Sequence, residues 1–161
     1  MKNITGWFCF AVAFVTYLLT AEPTASFWDC GEFVTAAYKL EIGHPPGAPL
    51  FLLMARLFAM LAPSIDKVAF MVNVFSALLS AFTILFLCWS IMHITRRIIE
   101  PQIHFFNFSI IHLSGIIGAL AYTFSDTFWF SAVEGEVYGA SSFFTAVVFL
   151  VVSAIIRPFY F

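Results

Sequence analysis

Asp29 and Glu32 stand three positions apart in Phe27-Trp28-Asp29-Cys30-Gly31-Glu32, and the run His44-Pro45-Pro46-Gly47 follows about a dozen residues later. On a short helix over residues 28–40, both carboxylates project from one face. Two nearby like charges raise the pKa of one of them, which suits a general base beside an orienting group. Asp-x-x-Glu is also a helix-starting signature, with Asp29 as N-cap and Glu32 as its capping-box partner. The two readings can coexist. In the second run each proline fixes its own φ and restricts the residue before it, and Pro46-Gly47 favours a turn. The result is either a rigid corner that presents His44 to the acidic pair or a plain connector between helices. A third group, Glu134-Gly135-Glu136-Val137-Tyr138, opens a later apolar segment. Acids there favour the helix dipole; flanking a glycine, they could also fix an acceptor or bind a divalent cation. The residues demand no cofactor, and no zinc-ligand spacing exists. If a metal binds, Asp29, Glu134 and Glu136 are the expected ligands.

These groups are set in a very apolar chain. Of 161 residues, 62% are hydrophobic and 10% charged, with a mean hydropathy of +0.99. Soluble domains average roughly 45–50% apolar and 25% charged residues. The composition therefore predicts an all-α integral membrane protein, and clustered ionisable groups are costly there unless they have a function. No basic tract suggests nucleic-acid binding. Four segments approach the roughly 20 apolar residues that a span needs: residues 4–20, 68–92, 106–124 and 138–156. Residues 49–62 are apolar but short, with Arg56 at the centre, and read as an interfacial helix. Arg56 can reach head groups or an anionic ligand while its neighbours bury.

Charge placement orients this single transmembrane domain. With the N-terminus inside, the cytoplasmic side holds Lys2, Arg96, Arg97 and Arg157 against Glu100. The outer side holds Lys39, Arg56 and Lys67 against eight acids. Basic flanks prefer the cytoplasm, so a fifth span at residues 49–62, which would send Arg96 and Arg97 outward, is rejected. The first segment has the charge of a signal peptide, but Pro23 falls where a cleavage site wants a small residue, so it reads as an anchor. The polar chemistry then lies in an outer loop over residues 21–67 and a second over 125–137. The inner loop, residues 93–104, carries the orienting arginines. Phe27, Trp28, Phe128, Trp129 and Phe130 read as an aromatic belt at that boundary. Cys9 and Cys88 read as packing residues, His112 as a packed, hydrogen-bonded histidine, and Asn73 as interhelical glue. Cys30, the one outer cysteine, can form no outer disulfide within the chain.

Three runs together carry a resemblance: Trp28-Asp29-Cys30-Gly31-Glu32-Phe33, His44-Pro45-Pro46-Gly47-Ala48-Pro49-Leu50, and Trp129 through Tyr138. They resemble the N-terminal part of the protein O-mannosyltransferase-like membrane family, formerly a domain of unknown function, of the GT-C glycosyltransferase superfamily. The resemblance covers nearly the whole chain. It implies transfer of a mannose-like sugar from a polyprenyl or dolichyl phosphate carrier to a protein hydroxyl or another acceptor, such as a glycan. It implies chemistry on the non-cytoplasmic face of a bacterial inner membrane or of the endoplasmic reticulum, with Asp29 as catalytic base and Glu32 beside it. Glu134 and Glu136 would supply the second acidic motif, and His44, Arg56 and Tyr138 would join them in binding substrate. Such enzymes carry more spans and often an outer soluble domain, so the chain is expected to be a fragment of a longer protein. The alternative is a non-catalytic membrane subunit or scaffold. A transporter is the weaker option, because the ionisable groups cluster in outer loops and not at mid-membrane depth.

Overall fold

From Val68 to Ile98 the sequence runs without a glycine or proline, and it forms one helix of 31 residues. The computed structural model of the chain describes residues 2–45, 47–99 and 104–155. Along it lie α1 (Lys2–Leu19), α2 (Cys30–Lys39), α3 (Pro49–Ala59), a short 3-10 turn (Ile65–Lys67), α4 (Val68–Ile98), α5 (His104–Thr123), α6 (Asp126–Val133) and α7 (Val137–Ile155). There is no strand among the described residues. Helix α4 is the axis, and α1, α5 and α7 pack most extensively against it. Its buried residues, among them Val72, Phe75, Ala77, Leu79, Ala81, Ile84, Leu85 and Cys88, run round the helix because neighbours cover it on several sides. Small residues allow close approach: a Cβ on Gly139 of α7 would stand 2.7 Å from Ser80 Oγ.

The four apolar segments expected from the sequence are α1, α4, α5 and α7. Residue 156, Arg157, Glu100 and residues 101–103 of the inner loop lie outside the described residues, as does Pro46. By length and apolarity one helix, Ile65–Ile98, can cross a membrane unaided. Helix α5 qualifies only together with α6, across a bend of 67°, and α1 and α7 are shorter apolar helices. Residues 125–137, expected as a plain loop, contain α6. Phe128, expected in an aromatic belt, is buried there, stacked on Tyr122 at 4.3 Å and edge-on to Tyr17 at 6.2 Å. The bend turns its ring inward, whereas Phe27 and Trp28 are both 88% exposed.

The two ends of α4 differ. At its far end His93 Nε2 and Arg97 Nη2 both meet the carbonyl of Ser153, at 3.0 and 2.7 Å. At its start, Asn73 Nδ2 donates to the carbonyls of Glu22 (2.7 Å) and Thr24 (3.0 Å). Asn73 therefore ties down the first loop and does not glue helices together as expected. The loop is also held by Glu22 N–H donating to Val133 C=O at 3.1 Å. Thr5 Oγ1 lies 2.6 Å from His112 Nδ1, which makes His112 the packed histidine the sequence suggests. Cys9, Cys30 and Cys88 are all buried and free.

Candidate active site

Helix α2 carries the first acids, and its ends explain their placement. Its buried face, Cys30, Phe33, Val34 and Ala37, follows a helical period and packs on α3 and α4. Phe33 meets Phe51 at 5.8 Å, and Phe51 meets Phe75 of α4 at 5.6 Å. This apolar face leaves Asp29 and Glu32 exposed on the other side. Just before it, Trp28 adopts φ +64°, a conformation that strains a bulky side chain. At the other end Leu40 takes φ +58°, and Glu41 N–H donates to Ala36 C=O at 3.0 Å, closing the helix as a Schellman-like cap. That cap turns residues 41–44 back along α2.

The returning chain brings His44 onto Glu32. His44 N–H donates to Glu32 Oε1 at 2.6 Å, and His44 Nδ1 lies 3.0 Å from Glu32 Oε2. Gly47 N–H then donates to His44 C=O at 2.8 Å, with Gly47 at φ +71°, where glycine is unstrained. Pro49 opens α3 in its first turn, where its missing N–H costs nothing. Of the two sequence readings of this run, the structure has the corner that brings His44 to the acids. The capping box does not form. Asp29 occupies the N-cap position but makes no capping hydrogen bond, and Glu32 is spent on His44. Asp29 Oδ2 lies 4.0 Å from His44 Nε2, beyond hydrogen-bond length. Hydrogen bonding and charge from Glu32 hold the His44 pKa above its ordinary value, with a smaller contribution from Asp29. The backbone and ring bonds from His44 in turn lower that of Glu32.

The second loop supplies the opposite wall. Asp29, Phe33, His44, Gly47, Ala48, Glu136, Val137 and Tyr138 line one cavity of about 180 Å³. Burial, then the charges of Glu134 and Asp29, push the Glu136 carboxyl up. Glu134 does not join it. Glu136 N–H donates to Glu134 C=O at 2.9 Å, a three-residue turn that sends the two side chains apart. Glu134 is 5% exposed and lies off the cavity. The set Asp29, Glu134 and Glu136 expected for a metal is therefore not assembled. Asp29, Glu32 and His44 do bring one ligand atom each within 4.8 Å of one another. In this arrangement both Glu32 oxygens already serve His44.

Arg56 also departs from expectation. Its guanidinium donates to Tyr38 C=O and stands 5.3 Å over the Tyr38 ring. Carbonyls at a helix C-terminus attract cations, and the last turn of α2 is the nearest such end. Arg56 thus fastens α3 to α2 and is not among the residues lining the cavity. Phe33 was overlooked in the sequence; its ring backs His44 at 6.1 Å. The helical spacing of Cys30, Phe33, Val34 and Ala37 was the signal that could have found it.

A bundle of apolar helices, one of them long and apolar enough to cross a membrane, with an acid-and-histidine cavity at one end defines an all-helical protein among the described residues. The chain belongs to the family described as the protein O-mannosyl-transferase TMEM260 N-terminal domain, whose model matches residues 29–157. That match begins at Asp29 and includes every candidate site residue. The chain is 30% identical over 135 residues to protein O-mannosyl-transferase TMEM260 of Mus musculus, covering 84% of this chain and 17% of that one. It is 25% identical over 143 residues to protein O-mannosyl-transferase tmem260 of Dictyostelium discoideum, covering 86% of this chain and 16% of that one. The chain thus spans about one sixth of the length of these curated relatives. No solved structure matches it.

Proposed function

We propose that this chain is the N-terminal, membrane-embedded portion of a GT-C-type glycosyltransferase. The observation that carries the reading is the meeting of Asp29 and Glu136, from two loops about a hundred residues apart, in one cavity with His44. The relatives' names, protein O-mannosyl-transferase, support mannose as the sugar and a protein hydroxyl as acceptor. The donor is a polyprenyl or dolichyl phosphate sugar, which suits an active site beside a bilayer.

The reaction needs a base. A hydroxyl has a pKa far above neutral, so its attack on the anomeric carbon requires a proton acceptor within hydrogen-bond reach. Asp29 takes that proton; its carboxylate is exposed and engaged in no cap. The new bond forms between hydroxyl oxygen and anomeric carbon. The bond from that carbon to the phosphate oxygen breaks, and its electron pair leaves with the phosphate. Glu136 and Tyr138, on the facing wall, orient sugar or acceptor hydroxyls.

The same reading places four spans in the membrane, with the cavity on the non-cytoplasmic side. At about 1.5 Å per residue, α1, α5 and α7 are on the order of 27–30 Å long, close to the roughly 30 Å hydrocarbon thickness. The test is incubation of the full-length protein with radiolabelled polyprenyl-phosphate mannose and a protein acceptor. Asp29→Asn should lower turnover by about a hundredfold or more while carrier binding persists. Near-normal transfer by a stably folded Asp29→Asn protein would remove Asp29 from the role of base.

A further inference from the structure

We propose that His44, clamped by Glu32, is the cation that receives the carrier's phosphate as the sugar departs. This rests on the transferase reading and adds a role that the reading leaves vacant. Glu32 holds His44 at two points, the backbone N–H at 2.6 Å and ring Nδ1 at 3.0 Å. With Nδ1–H donating to the carboxylate, the other ring nitrogen, Nε2, is left on the Asp29 side, 4.0 Å from Oδ2. That gap leaves Nε2 without a protein hydrogen bond at this distance. Phe33 backs the ring and limits its swing.

Charge makes the role necessary. The donor's phosphodiester carries one negative charge, and the released monoester carries up to two. Two of the cavity's walls, Asp29 and Glu136, are carboxylates that repel it. Among the lining residues His44 alone can become positive. Arg56 is committed to Tyr38, and Lys39 pairs with Glu41 at 3.8 Å. The groups facing His44 are Glu32 and Asp29 from the α2 side and Glu136 and Tyr138 from the α7 side. The carboxylates of Glu32 and Asp29 favour the imidazolium. In the transfer step the hydroxyl proton goes to Asp29. The electron pair of the broken carbon–oxygen bond goes to the phosphate oxygen, which Nε2–H then meets. Glu32 is a positioning residue that acts through His44, not a group that touches sugar.

The experiment measures binding of polyprenyl monophosphate, the reaction's product, to the full-length protein across pH, together with transfer kinetics. His44→Gln should weaken product binding about tenfold or more and lower kcat, with the acceptor's KM unchanged. Wild-type product affinity should fall as pH rises through the raised pKa of His44. Glu32→Gln removes the carboxylate that raises it, so that fall should move to lower pH. His44→Arg stays charged and should flatten it. Product binding by His44→Gln equal to wild type, or an unmoved pH profile in Glu32→Gln, overturns the inference. If Asp29→Asn abolishes transfer while His44→Gln leaves transfer and product binding intact, only this inference falls. If the wild-type protein binds no polyprenyl phosphate at any pH, the transferase reading falls with it.

Discussion

Gly135 lies so close to Asn73 that a Cβ on it would stand 2.9 Å from Asn73 Oδ1, and the same distance from Val72 Cγ1. Through this contact the second acidic turn is seated against α4, on the residue whose Nδ2 holds Glu22 and Thr24. Both walls of the cavity therefore share one anchor. Gly135→Val should cost about 1–3 kcal/mol by overpacking. Asn73→Leu should cost about 1–3 kcal/mol by orphaning the loop carbonyls wherever they stay dry. Thermal unfolding of the full-length protein measures both. Unchanged stability in both variants would sever the two loops from a common anchor.

Arg56 is expected to act on structure. Arg56→Ala removes the hydrogen bond to Tyr38 C=O and the stacking on the Tyr38 ring. The loss should be about 1–2 kcal/mol, and Arg56→Lys should recover only part of it, since an ammonium lacks the planar fork. A stable Arg56→Ala protein that binds polyprenyl phosphate poorly would return Arg56 to the phosphate role expected from its sequence position.

Glu136 should show the reverse pH behaviour of a salt-bridged acid. Its folded pKa is raised by burial and by Glu134 and Asp29. Its contribution to stability is thus fully present below the ordinary glutamate pKa and is lost as pH rises through the raised value. Glu136→Gln removes a charge that the fold disfavours, so it should be more stable than wild type at neutral pH. The advantage should vanish in acid. Denaturant midpoints at several pH values measure the difference, and an advantage that persists in acid would point to a cause other than ionisation.

Topology is tested by thiol labelling, aided by the burial of all three native cysteines. A cysteine at position 27 should react with an impermeant maleimide from the non-cytoplasmic side. A cysteine at position 97 should react only from the cytoplasm. Labelling of position 97 from the outside would invert the arrangement and put the cavity in the cytoplasm.

The apolar runs by themselves determined the helices α1, α4, α5 and α7, because hydrophobic length acts locally along the chain and no proline interrupts any of them. Composition likewise led to the expectation of a membrane protein, and the juxtaposition of Asp29-x-x-Glu32 with the histidine–proline turn marked the candidate site. What tertiary structure decided was which polar groups meet. Asp-x-x-Glu is compatible with a capping box, and only the return of residues 41–44 from a left-handed Leu40, a position where glycine is usual, diverts Glu32 to His44. Glu134 and Glu136 are equivalent in sequence, yet a tight turn pressed on α4 buries one and opens the other to the cavity. Arg56 could reach many acceptors, and the carbonyl left unpaired at the end of α2 proved nearest. Local pattern sets where a helix runs; the direction of a polar side chain depends on which partner lies within about 3 Å after packing, and no spacing along the chain encodes that distance.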